Sequence, residues 1–166
     1  MATMENLKEG FAGESQANRK YTAFAKKAEA EGFPQVAKLF RAIAEAETVH
    51  ALKQLDLMGG IKSTAENLVV ARDGEEYEFQ QMYPKFLAEA KAENNKAAIR
   101  AFEFAMAAEK VHYDLYQKAL DMVKNGQDLT NAVVYLCPIC GDVEIGVLPE
   151  KCPICGVPKN KYVEIK

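Results

Sequence analysis

Both histidines of the chain stand in the same four-residue pattern, Glu47-Thr48-Val49-His50 and Glu109-Lys110-Val111-His112. On an α-helix, residues three apart share a face, so each pattern aims a carboxylate and an imidazole at one spot. Each is a metal-ligand pair. Two such pairs on two helices of a bundle make half of a dinuclear carboxylate site for iron or manganese, and the other half must come from glutamates on other helices.

The rest of the chain supplies those helices. Apolar residues recur in steps of three and four over four stretches, about 4–31, 34–58, 64–93 and 95–124, the spacing of a bundle seam. The first stripe is Leu7, Phe11, Glu14, Asn18, Tyr21, Ala25 and Ala28, and the second is Val36, Phe40, Ile43, Glu47, His50, Gln54 and Leu57. The third runs Leu68, Ala71, Glu75, Glu78, Met82 and Phe86, and the fourth Ala98, Phe102, Ala105, Glu109, His112, Tyr116 and Leu120. Carboxylates on an apolar seam are anomalous, because a buried charge must be compensated. Glu14, Glu47, Glu75, Glu78 and Glu109 all fall there, and two ferrous or ferric ions would balance them.

Breaks between the stretches are explicit. Gly32-Phe33-Pro34 ends the first helix and starts the second, Gly59-Gly60 stops the second, and Asn125-Gly126 stops the fourth. Ser63-Thr64-Ala65-Glu66 reads as a capping box opening the third. Pro84 lies inside the third stretch and predicts a bend there. The connection between second and third helices is longer than a tight turn, as a ferritin-like bundle with its long crossover requires.

An internal repeat reinforces the pairing. At an offset of 62, Phe40 matches Phe102, Ala46 matches Ala108, and Glu47, Val49 and His50 match Glu109, Val111 and His112. Each copy has one glutamate further upstream, Glu14 or Glu75, 33 or 34 residues before its Glu-x-x-His glutamate. Two copies of one helical hairpin would set these carboxylates about a pseudo-twofold axis.

All four cysteines fall in the tail, in the repeats Cys137-Pro138-Ile139-Cys140-Gly141 and Cys152-Pro153-Ile154-Cys155-Gly156. Two such knuckles arrange four thiolates tetrahedrally, a geometry that suits either iron or zinc. The expected division is a helical domain over 1–126 and a small β module over 127–166. Twenty-four acidic and twenty-one basic residues leave a net charge of −3, which speaks against a nucleic-acid or anionic-membrane partner. No apolar run is long enough to span a bilayer and the first nine residues lack a signal-peptide core, so a cytoplasmic protein is expected.

The whole pattern resembles the rubrerythrin family. The resemblance rests on Phe11-Ala12-Gly13-Glu14-Ser15-Gln16-Ala17 with Tyr21, on the segment from Gly74 to Pro84, on both Glu-x-x-His stretches and on the cysteine knuckles, in that order along the chain. It implies a ferritin-like four-helix bundle with a long crossover between helices 2 and 3, followed by a rubredoxin-like β metal-binding module. It implies that Glu14, Glu47, His50, Glu75, Glu78, Glu109 and His112 hold two irons, with Glu47 and Glu109 bridging, and that the carboxylate of Glu78 gives way to the imidazole of His50 on reduction. Cys137, Cys140, Cys152 and Cys155 would hold a single iron, with zinc as the alternative. The implied activity is reduction of hydrogen peroxide to water, with electrons passed in from the thiolate iron and, before it, from a rubredoxin or an NAD(P)H-dependent reductase. Tyr21 and Tyr83, a turn or two from ligands, are candidates for hydrogen bonds to the carboxylates.

A long bundle with the cysteine module tethered at its end predicts electron transfer across an antiparallel homodimer. Two other readings compete. A ferritin-like ferroxidase would share the bundle and its ligands but gives the cysteines no use, and a zinc-ribbon docking module on a structural bundle leaves seven seam ligands unexplained.

Overall fold

The first two helices show how the sequence builds the scaffold. In the computed structural model, which describes residues 2–130 and 132–166, α1 spans Ala2–Ala30 and α2 spans Pro34–Leu57. Gly32 takes φ +83°, and the Phe33 amide donates to the Ala28 carbonyl, closing α1 in a left-handed turn. Pro34 then begins α2 at a position that needs no N–H. The two helices meet through small residues, since Ala25, Ala28, Ala37, Ala44 and Ala51 are all buried. Asn18, also buried, donates its amide to the Ala44 carbonyl at 2.7 Å and the Thr48 hydroxyl at 2.8 Å, which fixes the register of the hairpin.

The expected crossover is the compact stretch 58–63. It ends at Ser63, whose hydroxyl accepts from the Glu66 amide while the Glu66 side chain reaches back, the predicted capping box. The third helical rod consists of α3 (Thr64–Tyr77), a π-helical segment Glu78–Met82, and α4 (Tyr83–Ala92). Just before Pro84, where a bend is expected, the rod widens into a π turn. Proline has no amide to continue the ladder of four-residue steps, and the Tyr83 amide reaches five residues back to the Glu78 carbonyl. The fourth rod, α5 (Lys96–Lys124), starts at Asn95, whose side chain accepts from the Ala98 amide.

The tail forms a three-stranded antiparallel sheet of β1 (Val134–Leu136), β2 (Val143–Ile145) and β3 (Val163–Ile165), with β1 in the centre. Tyr135 stands opposite Glu144 on one side and Glu164 on the other.

Compactness divides the chain at a different place from composition. The two compact units are Met1–Lys62 and Ser63–Lys166, so the cysteine module belongs to the same unit as α3, α4 and α5. Among the described residues no helix is long and apolar enough to cross a membrane.

Candidate metal centres

In the first unit, α1 brings Glu14 and α2 brings Glu47 and His50 into one cluster of potential ligand atoms. His50 Nδ1 lies 3.0 Å from a Glu47 oxygen and 3.9 Å from a Glu14 oxygen. In the second unit, α3 brings Glu75 and α5 brings Glu109 and His112 into the same arrangement. Here His112 Nδ1 lies 2.7 Å from a Glu109 oxygen and 3.8 Å from a Glu75 oxygen. The repeat seen in the sequence is therefore a repeat of ligand geometry, each hairpin offering two carboxylates and the δ nitrogen of an imidazole.

Glu78, at the start of the π segment, stands outside the second trio but interacts with Glu109. These acids crowd one another. Burial first, then the charge of Glu109, push the Glu75 carboxyl up to about 7, against the opposing pull of His112. Glu78 is raised by the same two causes. Carboxylates that hold protons in each other's company are the donor set a pair of cations would relieve, so the residues fit a metal. Tyr83 joins this neighbourhood: burial, then the charges of Glu109, Glu78 and Glu75, raise its hydroxyl. The ring of Tyr21 packs on Phe24 and Phe40.

The two histidines differ on their far side. His112 Nε2 lies 2.8 Å from the Gly141 carbonyl oxygen, which can only accept. Nε2 therefore donates to it, and Nδ1 is the nitrogen turned to the carboxylates, where a metal would take it. His50 has no such anchor among the described residues, and its side chain is 56 % exposed against 23 % for His112.

Gly141 belongs to the cysteine module. There the two knuckles repeat one backbone pattern: Gly141 donates to the Cys137 carbonyl and Gly156 to the Cys152 carbonyl, while the Cys137 and Cys152 amides donate to the carbonyls of Asp142 and Val157. Both glycines take positive φ, +88° and +76°. All four cysteines are free thiols; Cys137 Sγ is 3.6 Å from Cys155 Sγ, and Cys140 Sγ is 3.5 Å from Cys152 Sγ. A tetrahedron with metal–sulfur bonds of about 2.3 Å has edges of roughly 3.8 Å, so the thiolates fit a single ion. Burial alone would raise the Cys152 thiol, but the backbone amides of Cys155 and Ile154 help to outweigh it and bring it to about 7. Burial pushes Cys140 the other way, far up.

This contact changes one expectation. A tethered module predicts electron transfer across a homodimer, yet the backbone beside Cys140 is hydrogen-bonded to His112 of the same chain. The sequence did not reveal that link, because it runs through a backbone carbonyl. Nor did it mark Asp142 and Tyr162, which stand beside the thiolates.

Helical hairpins with paired carboxylate and histidine ligands, joined to a rubredoxin-like tetrathiolate module, define the class of non-haem iron proteins built on the ferritin-like fold. The comparisons narrow it: residues 5–120 match the family described as rubrerythrin and residues 135–163 the rubrerythrin rubredoxin-like domain. The chain belongs to the rubrerythrin family. It is 35 % identical to Rubrerythrin-2 of Clostridium acetobutylicum, covering 96 % of this chain and 95 % of that one. It is 38 % identical to nigerythrin of Nitratidesulfovibrio vulgaris, covering 97 % and 85 %. The fully reduced, all-ferrous structure of nigerythrin superposes with a TM-score of 0.60 at 37 % identity, over 98 % of this chain and 86 % of that one.

Proposed function

We propose that the protein is a non-haem diiron peroxidase that reduces hydrogen peroxide to water, taking its electrons through a rubredoxin-type iron. The reaction consumes peroxide, two electrons and two protons and yields two waters. Two irons held by the carboxylate and histidine residues, and one held by the four cysteines, would supply the electrons for this reduction.

The chain's own residues carry the remaining work. Glu14, Glu47, His50, Glu75, Glu109 and His112 furnish the first ligands, and Glu78 is a further carboxylate available beside Glu109. The unanchored His50 is the imidazole free to move when the oxidation state changes, whereas His112 is fixed by Gly141. Glu78, outside the trio and beside Tyr83, is the carboxylate left to pass protons to the departing oxygens.

The observation that carries the reading is the 2.8 Å contact between His112 Nε2 and the Gly141 carbonyl. It connects a ligand of the carboxylate cluster to the backbone adjoining Cys140, a connection that ferroxidase chemistry does not need. The reading includes a homodimer, a cytoplasmic location, and a rubredoxin or NAD(P)H-dependent reductase as donor. It is tested by adding one equivalent of hydrogen peroxide to iron-loaded, anaerobically reduced protein while recording the visible spectrum. A prompt return of the ferric–thiolate band is expected. A band that stays bleached with peroxide, while oxygen oxidises the remaining iron, would replace the peroxidase by the ferroxidase.

A further inference from the structure

Asp142 is the one fully buried acid among the described residues, and it lies against the thiolates. Its Oδ2 accepts from the Tyr162 hydroxyl at 2.5 Å and is 3.6 Å from Cys152 Sγ, while its Oδ1 is buried without a hydrogen-bond partner. Burying a carboxylate with one donor costs free energy that a neutral side chain would not.

The fold does not require an acid there. The knuckle uses only the backbone of Asp142, whose carbonyl accepts from the Cys137 amide at 2.8 Å and whose amide donates to Cys140, and in the second knuckle the backbone of Val157 does the same for Cys152, also at 2.8 Å, and Cys155. Two copies of one backbone turn thus place an apolar residue in one and a carboxylate in the other. What distinguishes the copies is the charge delivered to the sulfurs.

From this geometry we infer that Asp142, oriented by the Tyr162 hydroxyl, sets the reduction potential of the thiolate iron and holds it low. Four thiolates around ferric iron sum to −1 and around ferrous iron to −2. A neighbouring carboxylate repels the second state more than the first, so it favours oxidation and makes the centre a better donor to the carboxylate cluster. With iron bound, Cys152 Sγ is a thiolate and has no proton to give, which leaves Tyr162 as the donor to Oδ2. Tyr162 is the positioning residue: it aims the carboxylate and disperses part of its charge.

The test is an equilibrium redox titration of the ferric–thiolate absorption at one pH, on full-length iron-loaded protein, with Asp142→Asn and Tyr162→Phe beside the wild type. Asparagine keeps the shape and can still accept from Tyr162, and its loss of charge should move the midpoint upward. Phenylalanine removes the hydrogen bond and leaves the charge undispersed, so it should move the midpoint downward. Opposite shifts support the inference, since a general loosening of the module would move both the same way. An unchanged or lowered midpoint in Asp142→Asn, shifts of one sign, or two variants that no longer form the band would overturn it, the last by making the pair a requirement of folding. The inference rests on iron in this site; a wild type that never shows the band would instead overturn that iron assignment, and with it this role.

Discussion

His112 Nε2 and the Gly141 carbonyl oxygen meet at 2.8 Å, so a histidine of the carboxylate cluster is tied by one hydrogen bond to the turn that holds Cys140. Gly141 sits at φ +88°, and a Cβ added there would find the Ala108 methyl at an ordinary 3.7 Å. Gly141→Ala should therefore cost backbone strain of about 1–2 kcal/mol rather than a clash, and shift the carbonyl that His112 uses. Gly156→Ala introduces the same kind of strain at φ +76° in the other knuckle, which no histidine touches. Both should melt a few degrees lower, but only Gly141→Ala should slow the peroxide-driven return of the ferric–thiolate band in stopped-flow spectra. Equal slowing in both would remove the special role of this contact.

Crowding of the acids on α3 and α5 gives the metal-free protein a pH signature. Glu75 titrates near 7 in the folded chain, above the ordinary carboxylate range, so the folded state binds this proton more tightly than the unfolded state does. Its contribution to stability is complete below that ordinary range and is lost as pH rises through about 7. The melting temperature of metal-free protein should fall between pH 5 and pH 8, and Glu75→Gln should flatten that slope. Ferrous iron should flatten it as well by taking the proton's place. A metal-free melting curve that is level or rising over this window would contradict the crowding.

Each trio has two carboxylates and one imidazole, so the loss of one carboxylate leaves that trio depleted. Glu47→Gln and Glu109→Gln keep size and hydrogen bonding while removing a charge and a strong ligand. Either substitution should strip iron from the carboxylate site and leave the thiolate band in place, read by iron analysis alongside the visible spectrum. Iron content and activity matching the wild type would favour a merely structural bundle.

Much of this was legible in the residues because it depends on periodicity. Glu14, Glu47, Glu75 and Glu109 stand out as charges on apolar stripes, and a helix converts that spacing into a common face whatever packs around it. The capping box at Ser63 and the knuckle glycines were legible for the same reason, their chemistry being local. The π segment was half legible: Pro84 announces a disturbed ladder, but the widening depends on which carbonyl the Tyr83 amide reaches. The Gly141 link was hidden, since any residue can offer a carbonyl. Asp142 did carry a signal, a break in the repeat where Cys155-Gly156 is followed by Val157 and Cys140-Gly141 by an acid, though only the burial of that position shows its meaning.

The face of α2 that carries His50 also predicts assembly. Val36, Leu39, Ile43 and Leu57 lie on that side and are all exposed, whereas the opposite side buries Ala37, Ala44 and Ala51. An apolar stripe interrupted by metal ligands is not a stable solvent face; it calls for a cover that is apolar and brings the complementary ligands. Sedimentation should accordingly find a homodimer or larger assembly rather than single chains. Ile43→Asp puts a charge into the stripe without touching a ligand, and losing a buried isoleucine there costs about 2 kcal/mol, roughly thirtyfold in an association constant. The variant should dissociate at higher protein concentration than the wild type and retain less carboxylate-site iron, while its thiolate band survives. A wild-type protein that sediments as a monomer with full peroxidase activity would show that the stripe is covered within one chain and that no second copy is needed.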